Sequence, residues 1–162
     1  MDVAVVRSDL IDEQEALDRI ISGISLSDWD LGTASPGWSV ADQIAHLAYF
    51  DNAAALAIAS PDKFQQSVQR LLEMYSRGED AEDAILSPYR TMRPSELLEA
   101  WRDGRRNLAE KSRNLSADNR VVWYGPSMGS KSFLTARLME VWAHGQDILD
   151  AIELKREETD RL

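Results

Sequence analysis

The sequence contains no cysteine, only two histidines and no long hydrophobic run. Without cysteine the chain can form neither a disulfide nor a thiolate metal site, and it has no cysteine nucleophile of its own. Any thiol chemistry must therefore use a thiol brought in by another molecule. No apolar run approaches the roughly 20 residues that a membrane-spanning helix needs, so no transmembrane segment is predicted.

Positive charge is also scarce in this chain. Its 162 residues include 18 lysines and arginines against 28 aspartates and glutamates, which gives a formal net charge of −10. Nucleic acids and anionic membranes select basic surfaces, so neither is predicted as a partner. The N-terminal stretch 1–8 has no basic leader, so a signal peptide is not expected and a cytoplasmic protein fits.

Apolar residues recur at intervals of three and four along most of the chain, which is the pattern of amphipathic helices. Ser39 and Asp42 form a pair resembling a capping box, and Pro94 suits the first turn of a helix. An acidic connector is predicted at 77–83, with one further helical turn through Leu86. The predicted helices cover about 2–24, 39–59, 62–75, 94–113 and 132–152.

The segments between these helices carry turn-forming residues and little hydrophobic pattern. We predict a turn-rich loop at 29–37, a brief extended piece at 121–124 and a loop at 125–130. Residues 153–162 form a polar lead-out from the last helix. The prediction is a single all-α domain over 1–162, an up-and-down four-helix bundle with one or two additional short helices. The sequence leaves the oligomeric state undetermined, and a homodimer is possible.

The predicted last helix contains a carboxylate and an imidazole four residues apart. Glu140 and His144 therefore lie one turn apart on the same face, and both can reach a single metal ion. Asp147 continues this stripe three residues further on. The neighbours Leu138 and Val141 are apolar, which favours a buried helix, and a buried carboxylate without a cation is energetically costly.

His46 is the other histidine, and it lies in the second amphipathic helix. If the two helices face each other, His46, Glu140 and His144 supply three ligands and leave one coordination position open, as in catalytic rather than structural metal sites. The alternatives are a hydrogen-bonded, partly buried His46 and a surface pair of Glu140 with His144. Such a donor set accepts zinc, nickel, iron, manganese or cobalt, so the metal identity stays open.

Five further residues are candidates for the surroundings of this site: Asp147, Trp38, Trp123, Tyr124 and Arg137. Asp147 could accept a ring proton from a ligand histidine, or it could face solvent. Trp38 and Trp123 each lie where a loop meets a helix that carries a proposed ligand. Arg137 could approach a substrate carboxylate, or it could pair with an acidic side chain.

These residues stand in motifs that resemble a known family. The segment Pro36–Leu47, PGWSVADQIAHL, resembles the start of the second helix in DinB-like metal-binding bundles. The segment Glu140–Asp147, EVWAHGQD, resembles the matching motif on the last helix, and Trp123–Pro126, WYGP, matches the same subgroup. The closest resemblance is to the N-terminal, metal-binding domain of mycothiol-dependent maleylpyruvate isomerase.

The resemblance implies that His46, Glu140 and His144 bind a divalent metal, most often zinc, with water or a thiolate at the open position. It also implies that the metal activates a small-molecule thiol, with mycothiol as the cosubstrate, and that thiol adducts are the substrates. The loops carrying Trp38 and Trp123–Tyr124 would then wall the site. Relatives commonly continue into a C-terminal domain after the bundle, whereas this sequence stops at Leu162, so it is expected to be either a one-domain member or a truncated form.

Three functions remain open from the sequence. The first is a metal- and thiol-dependent isomerase or transferase. The second is a non-catalytic metal-binding module that stabilises the bundle or senses a small molecule, and the third is a helical interaction domain without metal. A metal-dependent hydrolase is a further alternative, because zinc-bound water is its usual nucleophile.

Overall fold

The computed structural model describes residues 2–161 of the chain, and this part is mainly helical, with almost no sheet. Two short 3₁₀ segments, Leu26–Asp30 and Ser112–Asn114, follow the first and fifth helices. A two-stranded antiparallel hairpin pairs β1, Arg120–Val121, with β2, Met128–Gly129, just before the last helix. Within residues 2–161 the α-helices are α1 Val3–Ile21, α2 Val40–Ala59, α3 Pro61–Ser76, α4 Ala81–Arg90, α5 Pro94–Lys111 and α6 Ser130–Ala151.

Helices α1, α2, α5 and α6 form the bundle. Helix α2 packs against both α5 and α6, and α1 packs against α6 and α5. Helices α3 and α4 cover the outer side of α2. This arrangement confirms the predicted all-α bundle with two shorter helices added. None of the helices within residues 2–161 has the length and apolar character that a membrane crossing would require. The core between the four helices is formed by side chains such as Leu10, Ile44, Leu47, Trp101, Phe133, Leu134 and Ile148.

The acidic connector is more ordered than the sequence pattern indicated. Only one helical turn was expected there, whereas α4 is a ten-residue helix. Its N-cap residue, Asp80, accepts hydrogen bonds from the backbone N–H groups of Glu82 and Asp83. Leu86 is fully buried, and Ile85 and Tyr89 are partly buried against the core, so packing of apolar side chains stabilises this helix.

Three predicted helix ends shift by two or three residues, including that of α5, which ends at Lys111 rather than near residue 113. Helix α1 ends at Ile21 rather than near residue 24, because the N–H groups of Gly23 and Ile24 donate to the carbonyls three residues back, of Ile20 and Ile21, instead of four residues back. Helix α6 begins at Ser130 rather than at residue 132, because the N–H and hydroxyl of Ser130 donate to the carbonyl of Asn119. At the start of α2, Ser39 and Asp42 make both hydrogen bonds of a capping box.

The polar segment after α6 folds back onto α1. Arg156 and Arg161 both bind the carboxylate of Glu13, at 2.5 and 2.7 Å. Glu13 is buried, so the two guanidinium groups compensate a charge that would otherwise be costly. The described part of the predicted lead-out is therefore tied to α1 by these two arginines, while its other residues are exposed.

A second charge cluster joins α1 to α5. The carboxylate of Asp18 accepts hydrogen bonds from Arg102, at 2.7 and 2.9 Å, and from Arg105. Burial by itself raises the pKa of Asp18, but the hydrogen bonds from Arg102 and Ser22 outweigh it and hold this pKa below its usual range.

Replacing Asp18 with asparagine tests this cluster. The folded-state pKa lies below the unfolded value, so the contribution is fully present above about pH 4 and is lost as the pH falls through the folded-state pKa. We expect Asp18→Asn to lower the free energy of unfolding by about 1–2 kcal/mol at neutral pH. Urea denaturation across a pH series should show this difference shrinking in acid, whereas Asp12→Asn, at an exposed position of α1, should change little. A difference that is constant with pH would contradict the assignment.

Candidate metal centre

The two histidines of the chain meet one glutamate between α2 and α6. The Nε2 atoms of His46 and His144 each lie 3.2 Å from the same oxygen, Oε2 of Glu140. The ring centroids of the two imidazoles are 4.2 Å apart. One ligand atom from each residue lies within 4.8 Å of the others. The structure thus brings together the three residues that the sequence predicted as metal ligands. His46 and Glu140 are 94 residues apart in the chain.

The electrostatics of this cluster favour a neutral imidazole at His46 beside an ionised carboxylate at Glu140. The close contacts with the imidazoles of His144 and His46 hold the pKa of Glu140 well below its usual range. Burial lowers the pKa of His46, because a charged imidazole loses its hydration there. A carboxylate and neutral imidazoles are the protonation states that bind metal ions.

The spacing of the three groups fits a transition-metal ion. Zinc binds nitrogen at about 2.0–2.1 Å and carboxylate oxygen at about 2.0–2.2 Å, so two neighbouring ligands of a tetrahedral ion lie about 3.3–3.5 Å apart. The two distances of 3.2 Å between Nε2 and Oε2 are close to this value. The imidazoles are mostly buried, whereas 44% of the Glu140 side chain is exposed, so the cluster is accessible to solvent from the glutamate side.

Trp38 covers the two imidazoles. Its ring stacks on His144 with a centroid distance of 5.9 Å and an interplanar angle of 15°, and its centroid is 5.2 Å from that of His46. The indole N–H donates to the carboxylate of Glu82 on α4, at 2.6 Å. Helix α4 therefore holds one wall of the site, although it contributes no side chain to the cluster of His46, Glu140 and His144.

Phe50 forms the opposite aromatic wall. Its ring lies 4.4 Å from that of His46 and 5.6 Å from that of Tyr124. Burial raises the pKa of the Tyr124 hydroxyl, which interacts with Tyr49. The structure thus places Tyr124 beyond Phe50, one aromatic ring further from His46. Neither Tyr49 nor Phe50 was singled out from the sequence, although both follow His46 within one helical turn.

Trp123 belongs mainly to the core behind this wall. It stacks on Phe64 at 5.3 Å with an interplanar angle of 2°, and it contacts Phe133 edge-on at 5.1 Å. Its centroid is 6.4 Å from that of Phe50. Trp123 therefore packs behind Phe50, and Phe50 is the ring that contacts His46.

Arg137 is buried beneath the site rather than exposed beside it. Only 2% of the residue is accessible, and its guanidinium donates to the Asp51 carboxylate at 3.1 Å. Asp51 also accepts hydrogen bonds from the Gln14 amide, at 2.9 Å, and the Trp101 indole, at 3.2 Å. These partners lie on α6, α1 and α5, so one carboxylate on α2 joins all four helices of the bundle.

Asp147 reaches the site through a residue that the sequence analysis missed. The Nδ1 atom of His144 is hydrogen-bonded to the side-chain oxygen of Gln43, which is fully buried. The amide nitrogen of Gln43 donates to Asp147 at 3.1 Å, and Ser35 also donates to that carboxylate at 2.9 Å. Asp147 therefore does not accept a ring proton of His144 directly, and the Gln43 amide lies between the two side chains. The sequence signal for Gln43 was its place one turn before His46.

The fold and the cluster together define a DinB-like all-α bundle that gathers two histidines and a glutamate from two facing helices. Residues 10–149 match the family model of the mycothiol maleylpyruvate isomerase N-terminal domain. The chain belongs to this family.

Relatives by sequence include two uncharacterized proteins from Mycobacterium tuberculosis, one from strain CDC 1551 / Oshkosh and one from strain H37Rv. Each is 33% identical to this chain over 155 residues. The alignment covers 96% of this chain but 59% of each relative, so the chain spans about three fifths of their length.

Solved structures with the same fold include a mycothiol-dependent maleylpyruvate isomerase and a histidine-to-alanine mutant of such an isomerase. Both superpose with a TM-score of 0.67, at 20% and 19% sequence identity. Each superposition covers 91% of this chain and 61% of the solved chain. At this level of identity the likeness shows a shared fold.

The buried pair of Arg137 with Asp51 makes a prediction about stability. Arg137→Met leaves an uncompensated carboxylate in the core, and we expect it to lower the free energy of unfolding by about 3–5 kcal/mol. The double variant Asp51→Asn/Arg137→Met should recover part of this loss, because a carboxamide carries no charge. Chemical denaturation measures both variants, with the exposed Arg106→Met as the control. A loss at Arg137 no larger than at Arg106 would show that the pair does not stabilise the bundle.

Proposed function

We propose that His46, Glu140 and His144 hold one divalent metal ion, and that the protein uses this ion to activate a low-molecular-weight thiol in an isomerase or transferase reaction. Mycothiol is the candidate thiol, and zinc or nickel suits the ligand set. The observation that carries the proposal is the convergence of two Nε2 atoms on a single carboxylate oxygen, at 3.2 Å each.

Three protein ligands leave a coordination position for a cosubstrate. Catalytic zinc sites keep such a position, whereas structural sites fill all four positions with protein side chains. The partial exposure of Glu140 gives a small molecule access to the cluster. When bound, the metal would lower the pKa of a coordinated thiol and so make a thiolate available near neutral pH.

The absence of cysteine is consistent with a thiol that comes from a cosubstrate. The family is that of the mycothiol maleylpyruvate isomerase N-terminal domain, and the solved relatives are mycothiol-dependent maleylpyruvate isomerases. Because this chain spans about three fifths of those relatives, binding and activation of the thiol are the part of the reaction that we propose for it.

The chain's own aromatic residues shape the surroundings of the bound thiol. Trp38 and Phe50 flank the two imidazoles and limit the access of water from the helix sides. Electrostatic interactions are stronger where water is excluded, so these walls would increase the effect of the metal on a bound thiol. The open side at Glu140 is then the expected route of entry.

Titration of the cobalt-loaded protein with mycothiol tests this function. We expect a new thiolate-to-cobalt absorption band that saturates at one thiol per protein, with release of about one proton because the thiol binds as thiolate. A derivative of mycothiol with a hydroxyl in place of the thiol is the matched control and should produce no such band.

The variants distinguish the outcomes of this titration. His46→Ala and His144→Ala should bind cobalt weakly and show no thiolate band. If the parent protein takes up cobalt but the spectrum does not respond to thiol, thiol activation is excluded. A large fall in melting temperature on chelation would then favour a metal that only stabilises the bundle.

A further inference from the structure

A chain of hydrogen bonds leads from His144 away from the cluster to the loop before α2. It runs from Nδ1 of His144 to the Gln43 amide, and from that amide to Asp147 and Thr33. Gln43 lies on α2, Asp147 on α6 and Thr33 in the loop. These hydrogen bonds therefore connect three separate segments, in α2, α6 and the loop, to the ring of His144, one of the proposed ligands.

The orientation of the Gln43 amide follows from its neighbours. Its nitrogen faces Oδ2 of Asp147 at 3.1 Å and the hydroxyl of Thr33 at 2.9 Å. A carboxylate can only accept hydrogen bonds, and the Thr33 hydroxyl already donates to the carbonyl of Trp38 at 3.1 Å. Both partners thus require the amide nitrogen on their side, which turns the amide oxygen toward His144.

This orientation determines where His144 carries its proton. The amide oxygen of Gln43 accepts a hydrogen bond and cannot donate one, so Nδ1 of His144 must hold a proton. In a neutral imidazole the proton is then on Nδ1, and Nε2 keeps its lone pair. That lone pair points at Oε2 of Glu140, 3.2 Å away. Two acceptors at this distance need either a shared proton or a cation between them.

We propose that Gln43, oriented by Asp147 and Thr33, is a positioning residue that keeps the proton of His144 on Nδ1 and leaves Nε2 free to bind metal. This inference rests on the proposed metal centre and adds to it the residues that prepare the ligand. Outer hydrogen bonds of this kind fix the tautomer and the ring orientation of metal-binding histidines.

The same loop holds the ring from a second direction. Ser35 donates to Asp147 at 2.9 Å, and Trp38, three residues later, stacks on the imidazole of His144. The backbone N–H of Thr33 donates to the carbonyl of Trp38 at 2.9 Å, which closes this loop into one unit. The segment 33–38 therefore sets both the hydrogen bonding and the tilt of the ring.

The test uses proton–nitrogen correlation NMR of the two imidazoles, in the metal-free and the zinc-loaded protein. We expect the Nδ1 proton of His144 in both forms, slow to exchange with solvent because it is buried in the bond to Gln43. Gln43→Met, which keeps the size of the side chain but removes the amide, should lose this protected signal. Competition with a chromophoric chelator should show zinc affinity about 10- to 100-fold weaker in the variant.

A swapped variant separates hydrogen bonding from packing. In Gln43→Glu/Asp147→Asn, the new amide can donate to the new carboxylate, which still accepts from Nδ1 of His144. This variant should restore the protected Nδ1 proton and most of the zinc affinity. Gln146→Met is the matched control, because Gln146 bonds to Asp150 and Arg156 instead.

Two results would overturn the inference. One is a parent protein in which His144 carries its proton on Nε2 with Nδ1 unprotonated. The other is a folded Gln43→Met variant in which the Nδ1 signal and the zinc affinity are unchanged. If the parent bound no zinc, the proposed metal function would fail, whereas the NMR signal of the metal-free protein would still decide the role of Gln43.

Discussion

The arrangement of the bundle depends on one buried carboxylate. Asp51 on α2 accepts hydrogen bonds from Gln14, Trp101 and Arg137, one from each of the other three bundle helices. Breaking such a pair is costly in the core, so the interaction favours one register of the helices over others. Arg137 lies three residues before Glu140 and Asp51 lies five after His46, so the contact that aligns α2 with α6 also brings the cluster together.

The site above this contact combines a rigid base with walls from less regular parts of the chain. His46, Glu140 and His144 stand on two long helices, which hold side chains more precisely than loops do. Trp38 comes from the loop before α2 and is hydrogen-bonded to Glu82 on α4. Changes in that loop or in α4 would therefore reach the imidazoles through the stacked indole. Such contacts would adjust access to the cluster without altering His46, Glu140 or His144.

The sequence predicted the helices and the cluster better than the contacts around them. Helical spacing of apolar residues identifies the bundle, and the spacing of Glu140 and His144 on one helix identifies a shared face. Gln43 escaped notice because a glutamine in a helix does not reveal which distant group its amide will meet. Helix α4 was underestimated because its stability comes from the Asp80 cap and the burial of Leu86, which depends on tertiary packing.

The most direct test of this account is the metal content of the purified protein beside its His46→Ala and His144→Ala variants. We expect about one equivalent of a transition metal in the parent and its loss in both variants, since the two histidines face one carboxylate oxygen from different helices. A parent protein that carries no metal, and binds none when offered zinc or nickel, would contradict it. The three side chains would then be a polar cluster that holds α2 against α6.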